Sequence, residues 1–250
     1  PLSPMRVAIV LRKNSIRIKI PSKYTSTGFP VPVVASSKGE EITLTSDRIQ
    51  GEEARLVPLD PQSEVWVEGK SYRGAVDIFP DKNATLTVVN EVPLEDYLMG
   101  VLSGEVPKDW PLEALKAQAV AARTFAVMNR DEARSRHSKW DLENTSLSQV
   151  YEGSGKIGGG IAQAVKETKG LILTYDSKPI FAVFHSNCGG RTSRAINVWS
   201  SDKPYLKSVS CGFCGKGPHY HWKADLLTSD LVKKLRASGL NISDVAGLRA

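Results

Sequence analysis

The sequence contains no run of about 18 apolar residues, so no segment reads as a membrane-spanning helix. It has no internal repeat and no low-complexity tract, which excludes solenoid and linker-dominated architectures. Cysteine is scarce: only Cys188, Cys211 and Cys214 occur, an odd number that no complete disulfide framework uses. There is also no dense basic block with interleaved aromatics. The formal net charge of +6 comes from scattered Lys and Arg, which favours polyanions in general but argues against a nucleic-acid site. The opening stretch PLSPMRVAIVLRKN lacks the basic-then-apolar layout of a signal peptide. It reads as a mature terminus after cleavage or as the boundary of an expressed piece.

What is present is an ordinary globular composition over 250 residues, enough for one large domain or two small ones. From Arg6 to about Thr87 short β-branched runs dominate: MRVAIVL, SIRIKI, EVWVEG, YRGAVDIF and ATLTVVN. Most alternate with period two, and turn clusters such as SSKGE and PDKN separate them, so strands are predicted here. GKSYRGAVDIFPDKNATLTVV reads as a hairpin.

The pattern changes at Val92. Pro93 precedes Glu95 and Asp96, which are helix-start signals, and Leu94, Leu98, Val101 and Leu102 form a helical apolar stripe. Gly104 and Pro107 should end that helix. A second helix is predicted from Trp110-Pro111 to about Ser135, with Leu112, Leu115, Ala119, Ala122 and Ala126 on one face. A short helix from about Ile161 should stop at Gly170. LILTYDSKPIFAVFHS reads as two strands around a turn at Asp176, Ser177 and Lys178, and TSDLVKKLRASG as a helix capped by Ser229 with Gly239 past its end.

Between the first two helices, in GVLSGEVPKDWPLEALKAQAVAARTFA, stands Glu105, flanked by Gly104 and Val106. A carboxylate held among apolar residues can keep a proton near neutral pH and act as a general acid. It can equally be a cap or an ion-pair partner of Arg123, Lys108 or Lys116, since structural networks also hold such groups. Glu95, Asp96 and Glu113 sit where helix-start acids belong and are given no chemistry.

The stretch NEVPLEDYLMGVLSGEVPKDWPLEALKAQAVAARTFA resembles the signature of the stage II sporulation protein D family, also called SpoIID/LytB. QVYEG, FHSNCGGRT, VW and PYLKSV are similar to its downstream blocks, in the same order. The resemblance runs roughly from Arg6 to Trp222. It implies one of two functions. Sporulation members are lytic transglycosylases that cut peptidoglycan between N-acetylmuramic acid and N-acetylglucosamine, preferring strands stripped of stem peptides and leaving 1,6-anhydro ends. Other members enhance a cell-wall amidase. The family's catalytic glutamate falls on Glu105. By similarity, His185 and Ser186 in FHSNCGGRT and Tyr205 in PYLKSV line the glycan groove. From the residues alone, His185 fits a core histidine as well as a ligand, and Tyr205 or Trp199 fits core packing as well as sugar stacking. Arg123, in a helix of small residues, is counted among the substrate-binding residues and is expected to be a buried ion-pair partner that braces the site, with Glu105 as a candidate partner. The partners implied are glycan strands and a wall amidase, in an extracytoplasmic compartment.

The sporulation enzymes carry a Cys/His zinc site before the QVY block. Here Ser148 and Leu147 stand at those places and only His137 remains nearby, so that site is not carried over. Instead Cys211 and Cys214 have the spacing of a metal knuckle. Cys188 would be a third ligand and His219 or His221 the fourth, which would make a closed structural zinc site. A disulfide with one free thiol is the alternative. The reaction itself needs no cofactor. The expected architecture is α+β: a β-rich part over 6–90, a helical catalytic core with a further β-hairpin region over 91–227, and a C-terminal helix over 228–250. NISDVAGLRA reads there as the start of a continuation.

Overall fold

The computed structural model describes residues 3–20, 24–29, 41–49, 53–155, 157–217, 220–221, 223 and 225–245. The fold is α+β, and the chain divides into two compact units, 1–184 and 185–250. The expected boundary near residue 90 lies inside the first unit, where the last long strand runs almost directly into the first long helix.

The first unit begins with β1 (Met5–Lys13), β2 (Ser15–Lys19), β3 (Tyr24–Thr27) and β4 (Glu41–Thr45). It continues with β5 (Ala54–Pro58), β6 (Glu64–Val67), β7 (Lys70–Arg73), β8 (Ala75–Pro80) and β9 (Leu86–Val92). Then come α1 (Leu94–Glu105), α2 (Leu112–Ser135), β10 (Leu142–Glu143), α3 (Gly159–Glu167), β11 (Thr174–Tyr175) and β12 (Lys178–Pro179). One sheet has the order β10-β1-β9-β8-β5-β3 and a second the order β4-β2-β6-β7. The hairpin expected around PDKN is β8–β9, registered from Ala75 opposite Glu91 to Pro80 opposite Leu86. The β6–β7 hairpin turns on Glu68 and Gly69, both at positive φ, the geometry a two-residue hairpin loop needs to follow the strand twist.

Alternation sets the faces. Ile16 and Ile18 of β2 are fully buried while Arg17 between them is exposed. Central strands depart from alternation because both faces are covered: in β8, Ala75, Val76, Asp77 and Ile78 are all buried. Asp77 is held there by Arg55, 2.7 Å away.

The helices share that core. Leu94, Leu98, Val101 and Leu102 of α1 are buried with Leu115, Ala119, Ala122 and Ala126 of α2 and with Ile161, Ala164 and Val165 of α3. Small side chains on α2 let neighbouring helices approach closely, and α2 packs on both α1 and α3. Truncating one of these leucines, such as Leu98, costs about 2–5 kcal/mol.

The hairpin expected in LILTYDSKPIFAVFHS exists only as the two-residue strands β11 and β12. Asp176 and Ser177 form its turn at positive φ, but Leu171, Leu173 and Tyr175 remain exposed, so little burial extends the pairing. The first helix ends one residue later than expected, with Glu105 as its last member.

The second unit holds α4 (Ile196–Trp199) and α5 (Thr228–Ala237). The α5 cap position is Leu227, not Ser229, and Gly239 lies past its end at positive φ as expected. Only Ala195 is buried among the described residues of this unit.

Candidate functional site

Glu105 sits half-buried at the last position of α1, against the segment 149–153, the QVYEG block. Gly100 and Gly104, one helical turn apart, make the approach possible. A Cβ on Gly100 would lie 2.4 Å from the Gly153 carbonyl oxygen, and one on Gly104 2.9 Å from the Val150 carbonyl. With no side chain in the way, the segment runs along the helix. The Glu152 N–H donates to the Gly100 carbonyl at 3.2 Å, and the Val150 N–H donates to Glu105 Oε1 at 2.7 Å. That charge-assisted bond fixes one carboxylate oxygen. Among the described residues no donor reaches the other oxygen, and no cation pairs with Glu105.

Two of the partners expected for Glu105, Lys116 and Arg123, are engaged elsewhere. Lys116 pairs with Glu113 and Glu167, each at 2.7 Å. Arg123 is fully buried and pairs with Glu95, its Nε and Nη2 donating at 3.2 and 2.7 Å. Its remaining donors reach the Ala119, Val165 and Leu171 carbonyls and Thr168 Oγ1. Arg123 therefore has no surface to offer a sugar, which corrects its expected place among the substrate contacts. It clamps α1, α2 and α3 together, and Glu95, given no chemistry from sequence, is its counter-ion.

A layer of polar side chains locks the 149–153 segment from behind. Tyr97 donates to Gln149 at 3.0 Å, Gln149 donates to the Ala122 carbonyl, and Tyr151 donates to Asn90 at 3.0 Å. Burial pushes the phenols of Tyr97 and Tyr151 well above their ordinary range, and the neighbouring Glu105 carboxylate adds to the effect on Tyr97. Both hydroxyls therefore remain donors at any physiological pH. Tyr72, Tyr97 and Tyr151 form a continuous tilted ring stack at 5.7 and 5.0 Å.

Beside this segment opens a pocket of about 390 Å³, lined by Trp66, Lys70, Ser71, Ser103, Glu152 and Ile157. Ser103 and Glu152 are two residues in sequence from Glu105 and Val150, which do not themselves line the pocket. Lys70 pairs with Glu152 at 2.8 Å on its rim. The β7 strand is tied to the pocket floor by Ser154, whose N–H donates to the Ser71 carbonyl at 2.8 Å. Sequence reasoning missed Trp66, Lys70 and Glu152. The one available signal was that Glu152 lies in the QVYEG block; nothing local ties Trp66 to it.

The other expected site residues lie in the second unit. His185 and Ser186 are exposed at its start and Tyr205 is half-buried. Cys188, Cys211 and Cys214 come together: their sulfurs lie within 4.8 Å of one another, with Cys188–Cys214 at 3.2 Å and Cys211–Cys214 at 3.8 Å. All three are free thiols. Hydrogen bonding to Cys214 raises the Cys188 thiol, while the Cys188 backbone N–H and then its thiol lower that of Cys214. His219 lies outside the described residues. His221 packs edge-on against Tyr220 at 4.8 Å.

Comparison with known proteins bears out the resemblance. Residues 82–175, which carry α1, α2 and the 149–153 segment, match the family described as "SpoIID: Stage II sporulation protein". The chain is similar to an uncharacterised protein of Brachyspira hyodysenteriae, 35% identical over 80% of this chain and 55% of that protein. It is similar to the Stage II sporulation protein D of Bacillus amyloliquefaciens, 41% identical over 53% of this chain and 42% of that protein. It is also similar to the amidase enhancer of Bacillus subtilis, 35% identical over 78% of this chain and 26% of that protein. The chain thus spans about half, or less, of the relatives it matches.

Proposed function

We propose that this chain, whose segment 82–175 is of the stage II sporulation protein family, acts on the bacterial cell wall as a lytic transglycosylase of peptidoglycan glycan strands. The observation that carries the reading is the state of Glu105. One oxygen is held by the Val150 N–H, the other has no donor among the described residues, and the nearest pocket is lined by the neighbouring Ser103 and Glu152.

The chemistry needs one carboxylate. Ordinary glycosidases use two, because a water or a protein nucleophile must be directed at the anomeric carbon. In lytic cleavage the muramyl C6 hydroxyl attacks its own anomeric carbon as the bond to the leaving sugar oxygen breaks. Glu105 delivers its proton to that leaving oxygen, then accepts the proton released by the C6 hydroxyl, and so returns to its starting state. General acid–base catalysis of this kind supplies about 10²–10⁴-fold. Holding one oxygen leaves the other free to face the glycosidic bond. Trp66 offers a flat apolar wall for a sugar ring, while Lys70 and Ser71 offer donors to acetamido and hydroxyl groups. Substrate strands, preferably free of stem peptides, place the protein outside the cytoplasm.

A second reading has a specific observation behind it. The similarity to the amidase enhancer extends over more of this chain than that to the sporulation protein of Bacillus amyloliquefaciens. In that reading the chain binds the wall and stimulates an amidase without cutting glycan.

Mass spectrometry of stem-peptide-free strands incubated with the chain and with Glu105→Gln separates the two. Anhydro-muramic ends formed by the wild type alone support the transglycosylase. Intact strands with both proteins, beside an enzyme that does cut them, remove it in favour of the amidase-stimulating module.

A further inference from the structure

We propose that Cys188, Cys211 and Cys214 hold one zinc-class ion as three thiolates, and that this ion is the structural staple of residues 185–250.

The sulfur geometry suits an ion better than a covalent bond. A disulfide draws two sulfurs to about 2.05 Å and can use only two of the three. Tetrahedral zinc with Zn–S bonds of about 2.3 Å sets its sulfurs about 3.8 Å apart. The Cys211–Cys214 separation is 3.8 Å, Cys188–Cys214 is 3.2 Å, and all three sulfurs fall within 4.8 Å. A single ion placed over this triangle reaches every corner.

The backbone holds the three sulfurs in place before any ion arrives. Cys188 opens a turn in which Gly189 and Gly190 both take positive φ, with the Arg191 N–H returning to the Cys188 carbonyl. Cys214 opens a 3-10 turn closed by the Gly217 N–H on the Cys214 carbonyl at 2.8 Å. The two turns are tied by the Cys211 N–H donating to the Gly190 carbonyl at 2.8 Å and by the Arg191–Ser210 bridge. A Cβ on Gly190 or Gly217 would crowd Tyr220 or Asn187 at 3.3 Å, so both glycines suit this close packing.

The remaining argument is what the second unit lacks. Among its described residues only Ala195 is buried, while Val198, Val209, Phe213, Leu226 and Leu227 are more than half exposed. A segment that buries so little apolar surface cannot offset the entropy of ordering its loops, and small units in this position use metals or disulfides. Here the three sulfurs stand as thiols, 3.2 and 3.8 Å apart, the arrangement that suits a metal. The site is closed by thiolates rather than open to substrate, so the ion is structural. A protein imidazole at the fourth corner completes the closed set.

The test uses the full chain, purified under reducing conditions with equimolar zinc. Native mass spectrometry should find one zinc per chain, released when a mercurial blocks the thiols, and Cys188→Ser should drop the content to none. Ser148→Ala, outside the cluster, should keep it. Because Cys188→Ser can fail to fold, the wild type also carries the test. Cobalt in place of zinc should give an intense thiolate charge-transfer absorption. A strong chelator should make 185–250 sensitive to protease while 1–184 stays protected. A chain that binds no metal, or one two hydrogens lighter with a single reactive thiol, would overturn the proposal. Protease protection unchanged by the chelator would overturn the staple. Neither readout depends on glycan cleavage, so a failed transglycosylase assay leaves this inference standing.

Discussion

The Val150 N–H donates to Glu105 Oε1 at 2.7 Å, across 45 residues of chain. This bond orients the carboxylate at the end of α1 and leaves its other oxygen without a donor among the described residues. In Glu105→Gln the amide oxygen can take the same place. That variant should therefore fold with a loss of about 1 kcal/mol while losing at least ~100-fold in glycan cleavage. Denaturant unfolding beside a cleavage assay checks this. Equal losses of stability and activity would show that Glu105 is only a tether.

Gly100 and Gly104 should separate stability from activity. A methyl group at Gly100 would lie 2.4 Å from the Gly153 carbonyl oxygen and 2.5 Å from the Tyr151 ring, deep in the helix contact. Gly100→Ala should lower stability by about 1–3 kcal/mol. At Gly104 the conflict is with Val150 itself, at 2.9 Å, so Gly104→Ala should displace the Glu105 partner and reduce kcat with a smaller thermal shift. A Gly104→Ala protein with unchanged kcat would show that the Val150 contact does not position the carboxylate.

Arg123 should behave as a core residue. It is fully buried and its donors are shared between Glu95, Thr168 and three carbonyls. Arg123→Met leaves Glu95 and those carbonyls without their donor, and should cost about 3–5 kcal/mol. Whatever remains folded should keep its KM for glycan strands. A raised KM with stability intact would restore Arg123 to the substrate contacts.

Asp96 supplies a pH dependence. Burial raises its carboxyl above the usual range, Arg73 partly opposes the shift, and Glu95 adds to it. The folded state thus favours the protonated form. Its favourable contribution is fully present below the unfolded value of about 3.9 and is lost as pH rises through the folded value. Asp96→Asn removes the cost of ionisation and should be more stable than the wild type at neutral pH, with the advantage fading in acid. Denaturant midpoints measured across pH decide it, and a difference constant with pH would rule out the burial effect.

Local elements and the chemical inventory are legible in the amino-acid order alone. Period-two runs became β1, β2 and β6, and the stripe through Leu94, Leu98, Val101 and Leu102 became the buried face of α1. Paired positive-φ turns fell at Asp176 and Ser177, where the turn had been placed. The Cys-x-x-Cys spacing pointed to a cluster that the structure draws together with Cys188. These features are legible because burial repeats with the period of the element, and turn and knuckle chemistry acts within a few residues.

The pairings, by contrast, emerge only from the packed fold. Arg123 went to Glu95, 28 residues away, and not to Glu105. Glu105 took a backbone donor, which no side-chain pattern announces. Trp66 and Lys70 reached the pocket because β6 and β7 are packed beside 152–155, so a wall of the pocket comes from the β-rich part and not from the helical signature. Such contacts depend on which faces the shared core brings together. A one-dimensional pattern records that a residue is charged or aromatic, but it does not record which of several distant partners the packing will supply.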